Sequence, residues 1–121
     1  MSHILLAEDD ASMRHFLTVA LERAGYAVQA CEDGLEALRM IEDGGNSYDL
    51  LLADIVMPGM DGIELARKAA ELCPGLKVMF ITGFAAVAMG QQAQNHGNTR
   101  VLSKPFHLKE LVNQIDQLLV A

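Results

Sequence analysis

Short apolar runs alternate with longer amphipathic segments along the whole chain. Five of these runs are almost continuously apolar, which is typical of parallel strands that are buried on both faces. The five predicted strands are His3–Ala7, Ala27–Cys31, Leu50–Ala53, Val78–Thr82 and Val101–Ser103.

The segments between these runs carry apolar side chains three and four positions apart, which predicts helices with one buried face. Four of them are well defined, and the first three are followed by Gly25, by Gly44-Gly45 and by Pro74-Gly75, which commonly end helices. Their apolar positions are Met13, Phe16, Leu17, Ala20, Leu21 and Ala24; Leu35, Leu38 and Ile41; Ile63, Leu65, Ala66, Ala69 and Leu72; and Leu108, Leu111, Val112, Ile115, Leu118 and Leu119.

A further helix is predicted between the last two strands, from about Ala85 to Gln94. It is rich in alanine, is interrupted by Gly90, and offers little apolar surface for packing. We therefore predict that it is the most loosely held element and a candidate moving part.

The predicted order is thus five strands alternating with five helices. Such alternation implies an α/β fold, with a parallel sheet covered by helices on both faces and joined by right-handed crossovers. We expect one domain over residues 1–121, with no output domain after the last helix.

Composition and charge exclude several classes of function. The chain has 121 residues and a formal net charge of −7, and no Lys/Arg cluster suits it to nucleic acid. No apolar run is long enough for a membrane span, and no signal peptide is evident. The two cysteines lie in unrelated segments without metal-ligand spacing, which is typical of free thiols in a reducing compartment. We therefore expect a cytoplasmic protein.

Polar side chains collect where the predicted strands end. Glu8, Asp9 and Asp10 follow the first strand, Asp54 follows the third, Thr82 ends the fourth, and Lys104 follows the fifth. Ligands of open parallel sheets bind at the carboxyl ends of the strands, so these side chains are expected to share one rim.

The charges of this set suggest a metal ion and a phosphoryl group. Glu8, Asp9 and Asp54 carry three negative charges, which Mg²⁺ and the Lys104 ammonium would balance. With the Thr82 hydroxyl, such a pocket suits phosphoryl transfer. Taken singly, the acids could be turn formers or helix caps, and we assign capping of the first helix to Asp10.

Four segments carry a resemblance to a known family. Ile4 to Asp10, Asp54 to Gly62, Ile81-Thr82-Gly83 and Lys104-Pro105-Phe106 resemble the receiver domains of two-component response regulators, over essentially the whole chain. The run Met79 to Ala88 is similar to the stand-alone CpdR group within that family. The resemblance implies a flavodoxin-like (CheY-like), doubly wound sheet of order 2-1-3-4-5.

The resemblance also implies a role for each residue of the rim. Asp54 corresponds to the phosphoacceptor, Thr82 to the hydroxyl that follows the phosphoryl group, and Lys104 to the phosphate-contacting lysine. Its Mg²⁺ ligands would be Glu8, Asp9, Asp54 and the backbone carbonyl of Val56. The Lys104–Pro105 peptide bond corresponds to one that is cis in such domains.

The loop after the third strand contains turn-forming residues and two methionines. Pro58, Gly59 and Gly62 suit the turn after the third strand, and Met57 and Met60 either fill core gaps or touch a partner.

One position departs from the family pattern. Receiver domains usually carry an aromatic residue three positions before the lysine, where this chain has Val101. An aromatic rotamer switch is therefore unavailable, and we expect the signal to pass through the predicted fourth helix.

The expected function is a single-domain response regulator rather than a turnover enzyme. The resemblance implies a histidine kinase or histidine phosphotransferase as donor to Asp54. For the CpdR group it implies an output partner of the ClpX-type AAA+ protease kind, for which the protein would be an adaptor. A phosphate sink or shuttle and a Mg²⁺-dependent phosphatase are alternatives, and monomer and phosphorylation-dependent dimer both stay open.

Overall fold

A computed structural model describes residues 2–44, 47–83 and 99–120. The strands are β1 (His3–Ala7), β2 (Ala27–Cys31), β3 (Leu50–Asp54), β4 (Lys77–Thr82) and β5 (Thr99–Ser103). The described helices are α1 (Ala11–Arg23), α2 (Gly34–Gly44), α3 (Gly62–Leu72) and α4 (Leu108–Val120). The helix predicted from about Ala85 to Gln94 lies outside the described residues, so α4 is the C-terminal helix.

The five strands form one parallel sheet in the order β2-β1-β3-β4-β5. This order confirms the doubly wound arrangement expected from the resemblance. Strand β3 lies at the centre, and all five of its residues are buried. Its continuous apolar run is explained by this position, because both of its faces are covered by helices.

Alternate residues of the strands point to opposite faces and build two separate cores. Helices α2 and α3 pack on the face that carries Leu5, Leu51 and Phe80. Helices α1 and α4 pack on the other face, which carries Leu6 and Leu52. None of the described helices is both long and apolar enough to cross a membrane.

Aspartate side chains fix the starts of three helices. The backbone N–H of Met13 donates to Asp10 Oδ1 at 3.0 Å, which confirms the capping role predicted for Asp10. The backbone N–H groups of Glu36 and Glu64 donate to Asp33 Oδ1 and Asp61 Oδ1, both at 2.8 Å. These bonds satisfy helix N–H groups that have no partner within the helix.

Four of the predicted core positions are wrong. Phe16, Leu35 and Leu72 expose 52%, 49% and 49% of their surface, and Ala24, which directly follows α1, is exposed as well. The buried stripe of α1 is centred on Leu17 and Leu21, and Phe16 lies one position outside it. Leu35 lies in the first turn of α2 and Leu72 is the last residue of α3, so both lie at a helix end.

Candidate functional site

Four strands deliver the predicted polar residues to one rim of the sheet. Glu8 directly follows β1, Asp54 and Thr82 are the last residues of β3 and β4, and Lys104 directly follows β5. Because all four strands are parallel, their carboxyl ends meet at the same edge. The structure therefore brings together residues that are far apart in the sequence.

Lys104 joins two of the carboxylates. Its Nζ atom donates a hydrogen bond to Asp54 Oδ2 at 3.1 Å and lies 3.6 Å from Glu8 Oε1. One carboxylate oxygen each from Glu8, Asp9 and Asp54 lies within 4.8 Å of the others. Three acids thus surround a space that a small cation could occupy.

The three acids differ sharply in burial. Glu8 is fully buried and Asp54 is 6% exposed, whereas Asp9 is exposed to solvent. Burial raises the pKa of the Glu8 carboxyl to about 7, and the Asp54 charge adds to the rise. The Asp10 backbone N–H and the Lys104 ammonium oppose it. Burial makes the ionised form of this carboxyl unfavourable, and a nearby positive charge would stabilise that form.

The Lys104 ammonium is favoured in the same pocket. Burial on its own lowers the pKa of Lys104, but the hydrogen bond to Asp54 and the charges of Glu8 and Asp54 outweigh it. The net pKa is raised. Lys104 therefore stays charged and offsets part of the negative charge at the rim.

The donor set fits Mg²⁺. It consists of oxygen ligands only, and the buried Glu8 Oε1 makes no hydrogen bond among the described residues. Hard divalent cations bind carboxylate and carbonyl oxygens, and a buried acceptor without a donor is costly. A cation at this point would balance the negative charge and would also coordinate the Glu8 Oε1 atom, whose ion pair with Lys104 at 3.6 Å is too long for a hydrogen bond.

Two further groups lie at the same edge of the sheet, one at the end of β4 and the other in the β3–α3 loop. The Thr82 hydroxyl is fully buried and makes no hydrogen bond within the described ranges. The backbone N–H of Val56 donates to Asp54 Oδ1 at 3.1 Å, and its side chain is 57% exposed. The Val56 backbone thus contacts the site while its side chain points into solvent.

Arg14 is a site neighbour that sequence reasoning missed. Its Nη1 atom donates to the backbone carbonyl of Glu8 at 2.8 Å, from the second turn of α1. This bond ties the turn that carries the acids to α1. The only sequence feature that could have indicated this contact is the spacing of six residues between Glu8 and Arg14. That spacing is equally compatible with an arginine side chain that points into solvent.

The loop between β3 and α3 has both buried and exposed residues. Met57 and Met60 are 7% and 6% exposed, so they fill gaps in the core rather than forming a surface for a partner. Gly59 has a φ of +79°, a conformation that favours glycine, which confirms its predicted turn role. The buried Met57 and Met60 side chains therefore anchor this loop in the core.

Strand β5 and the turn after it agree with two sequence expectations. Val101 pairs with Phe80 and is partly buried against the core beneath α2 and α3. It has no ring to relocate, as its sequence indicated. The Lys104–Pro105 peptide bond is cis, as the resemblance implied.

The sequence profile of the response regulator receiver domain matches residues 4–116, which include every residue of the rim. The chain belongs to the response regulator receiver family. Receiver domains are phosphoaccepting signalling domains, and they interact with histidine kinases and with output proteins.

Individual relatives support the assignment over the full length. The chain is 54% identical to the response regulator receiver protein CpdR of Brucella abortus (strain 2308), over 100% of this chain and 99% of that protein. It resembles the crystal structure of a response regulator receiver protein from Sinorhizobium medicae WSM419, with a TM-score of 0.90 and 31% identity, over 99% of this chain and 95% of that one.

A third relative contains a metal. The crystal structure of the response regulator protein TrrA from Thermotoga maritima is a complex with Mg(2+)-BeF. It matches with a TM-score of 0.85 and 29% identity, over 98% of this receiver domain and 100% of that chain.

Proposed function

We propose that this receiver domain accepts a phosphoryl group on Asp54 and thereby changes its affinity for other proteins. The observation that carries the proposal is the contact of Lys104 Nζ with Asp54 Oδ2 at 3.1 Å, beside the carboxylates of Glu8 and Asp9. An Asp54 carboxylate oxygen attacks the phosphorus of a phosphohistidine. The P–N bond breaks, its electron pair stays on the imidazole nitrogen, and an acyl phosphate forms on Asp54.

Glu8, Asp9, Asp54 and the backbone carbonyl of Val56 would hold Mg²⁺. When bound, Mg²⁺ supplies positive charge that lets phosphoryl oxygens approach three carboxylates. The all-oxygen donor set supports this assignment, and so does the buried Glu8 Oε1 atom, which accepts no hydrogen bond in the described residues. So does the presence of Mg(2+)-BeF in the complex of TrrA, a family member.

Lys104 and Thr82 would stabilise the bound phosphoryl group. The Lys104 ammonium already faces Asp54 and can donate to a phosphoryl oxygen on that carboxylate. The Thr82 hydroxyl is buried and makes no hydrogen bond in the described residues, so a phosphoryl oxygen would give it an acceptor. Both groups thus gain or strengthen a contact when Asp54 is modified.

An exposed apolar groove beside the site supports a protein donor. We name this surface, formed by Met13, Phe16, Pro105 and Phe106, the donor groove. It has a volume of about 400 Å³ and borders Lys104. Phe16 in it is 52% exposed. A histidine kinase or histidine phosphotransferase docked there would present its phosphohistidine close to Asp54.

The output that we propose is control of a ClpX-type AAA+ protease, with the unphosphorylated domain as adaptor. Its support is the resemblance to the CpdR group, which implies such a partner, and the chain is 54% identical to a CpdR protein over nearly the full length of both chains. A tenfold difference in partner affinity requires only about 1.4 kcal/mol of differential binding between the two states.

Phosphorylation is tested with acetyl phosphate and Mg²⁺, followed by intact mass. One phosphoryl group per wild-type chain is expected, with none on Asp54→Asn or when EDTA replaces Mg²⁺. An unaltered wild-type mass would refute the proposed acceptor. Continuous release of inorganic phosphate from a small ester at many turnovers would instead identify a phosphatase.

The output is tested separately with a purified ClpX-type unfoldase. Its affinity for the wild type is measured with and without acetyl phosphate, and Asp54→Ala is the control that cannot be modified. At least tenfold tighter binding of the unphosphorylated form supports the adaptor. Equal binding of both forms, together with rapid return of the phosphoryl group to a histidine donor, would instead indicate a phosphate sink or shuttle.

A further inference from the structure

Gly34, the first residue of α2, packs directly against the backbone of the β3–α3 loop. A Cβ atom placed at Gly34 would lie 2.4 Å from the carbonyl oxygen of Met60 and 3.0 Å from its Cβ. Contacts below 3.0 Å are essentially never seen for real Cβ atoms. Glycine is needed here for space, since its φ lies outside the left-handed region.

Gly62 holds the same loop against the end of β3 by packing on the backbone of Asp54 and Ile55. A Cβ atom there would lie 2.4 Å from the carbonyl oxygen of Asp54, and the Gly62 N–H donates to the Ile55 carbonyl at 2.9 Å. The short segment between these contacts carries Val56, whose N–H donates to Asp54 Oδ1. The loop that orients the Asp54 carboxylate is therefore fixed between α2 and the end of β3.

We infer that Gly34 is a positioning residue for the acceptor: its close approach to Met60 sets the position of the β3–α3 loop and so the orientation of Asp54. This inference rests on the proposed function. An added methyl group at Gly34 meets a backbone carbonyl, which cannot rotate aside as a side chain can. Helix α2 is itself anchored in the core by Ala37 and Ile41, so the loop has to move.

Gly44, the last residue of α2, provides a matched control. A Cβ atom there would lie 3.5 Å from Ser47 Oγ, an ordinary contact far from the acids. Gly34→Ala and Gly44→Ala therefore make the same chemical change in the same helix. Leu118→Ala is a second control, because it destabilises a buried site on α4, on the opposite face of the sheet.

The experiment measures the initial rate of Asp54 phosphorylation by acetyl phosphate at saturating Mg²⁺. Each rate is divided by the folded fraction, obtained by circular dichroism at the same temperature. We expect Gly34→Ala to be at least tenfold slower than the wild type, and Gly44→Ala and Leu118→Ala to be within twofold of it. A merely structural role would lower the folded fraction but leave the rate per folded molecule unchanged.

Met60→Ala keeps the test decisive if Gly34→Ala does not fold. It keeps the Met60 carbonyl and Cβ that Gly34 approaches, but it removes the buried side chain that holds the same loop in the core, and we expect a rate at least threefold below that of Leu118→Ala. If the wild type is phosphorylated normally and both Gly34→Ala and Met60→Ala react as fast as the control variants, the role of Gly34 is overturned but the proposed function is not. Failure of wild-type phosphorylation would overturn the proposed function and this inference together.

Discussion

Replacing Glu8 by glutamine should stabilise the protein in the absence of metal at pH 8. Glu8 is fully buried, and burial raises the pKa of its carboxyl from 4.5 to about 7. Glutamine has nearly the same shape and carries no charge. It can also accept the hydrogen bond that the Asp10 N–H donates to Glu8 Oε2 at 3.1 Å.

The direction and size of the effect follow from proton linkage. An acid whose pKa is higher in the folded state favours folding fully only below its unfolded pKa, and this contribution is lost as the pH rises to the folded pKa. With the Glu8 pKa at 4.5 unfolded and about 7 folded, about 1 kcal/mol is lost by pH 5 and roughly 3 kcal/mol by pH 8. The raised pKa of Lys104 favours folding fully at every pH below its ordinary value of 10.5, so it adds no pH dependence to the stability between pH 5 and 8.

The assay is urea unfolding in EDTA at several pH values between 5 and 8. The free energy of unfolding of Glu8→Gln minus that of the wild type should grow by roughly 2 kcal/mol over this range. Taking the difference removes the titration of groups common to both proteins. The exposed Glu42 provides the control Glu42→Gln, for which the difference should stay nearly constant.

A pH-independent difference for Glu8→Gln would refute the claim that Glu8 is destabilised as a buried anion. Added Mg²⁺ gives a second check at pH 8. It should raise the unfolding free energy of the wild type more than that of the variant, because the variant lacks one of the proposed carboxylate ligands. Equal gains would exclude Glu8 from the metal site.

Two further predictions concern the rim and the donor groove. Lys104→Ala should lower the free energy of unfolding in EDTA at pH 8 by about 2 kcal/mol, because it leaves two buried carboxylates uncompensated. Urea unfolding measures this loss, and added Mg²⁺ should restore part of the lost stability. A loss no larger than that of Lys109→Ala would contradict the prediction. Phe16→Ser should slow phosphotransfer from a phosphohistidine donor about tenfold and leave the rate of phosphorylation by acetyl phosphate unchanged. The control Leu72→Ser on α3 should change neither rate. Equal slowing of Phe16→Ser with both phosphodonors would count against docking at the donor groove.

Much of the fold could be predicted from local patterns. The strand β3 was expected to be buried on both faces because Leu50 to Ala53 are all apolar, and the structure confirms this. The boundaries of β3, β4 and β5 differ from the prediction by one or two residues, at Asp54, Lys77 and Thr99. All three are polar ends of strands whose pairing, rather than composition, sets their length.

The membership of the rim could be predicted for a related reason. Once the strands are parallel, their carboxyl ends must share one edge, so Asp54 and Lys104 had to approach each other. Their separation of 3.1 Å and the burial of Glu8 beside the exposed Asp9 could not be predicted. They depend on how the chain leaves the sheet.

The sequence by itself determined the order of strands and helices and the chemistry collected at one edge, because periodicity and strand ends are properties of single segments. Tertiary structure decided which neighbours hold the site. Arg14 reaches the Glu8 carbonyl, Gly34 presses on Met60, and Phe16 faces solvent. Each outcome depends on fractions of an ångström between separately formed elements, and close packing fixes such distances only when the whole domain assembles.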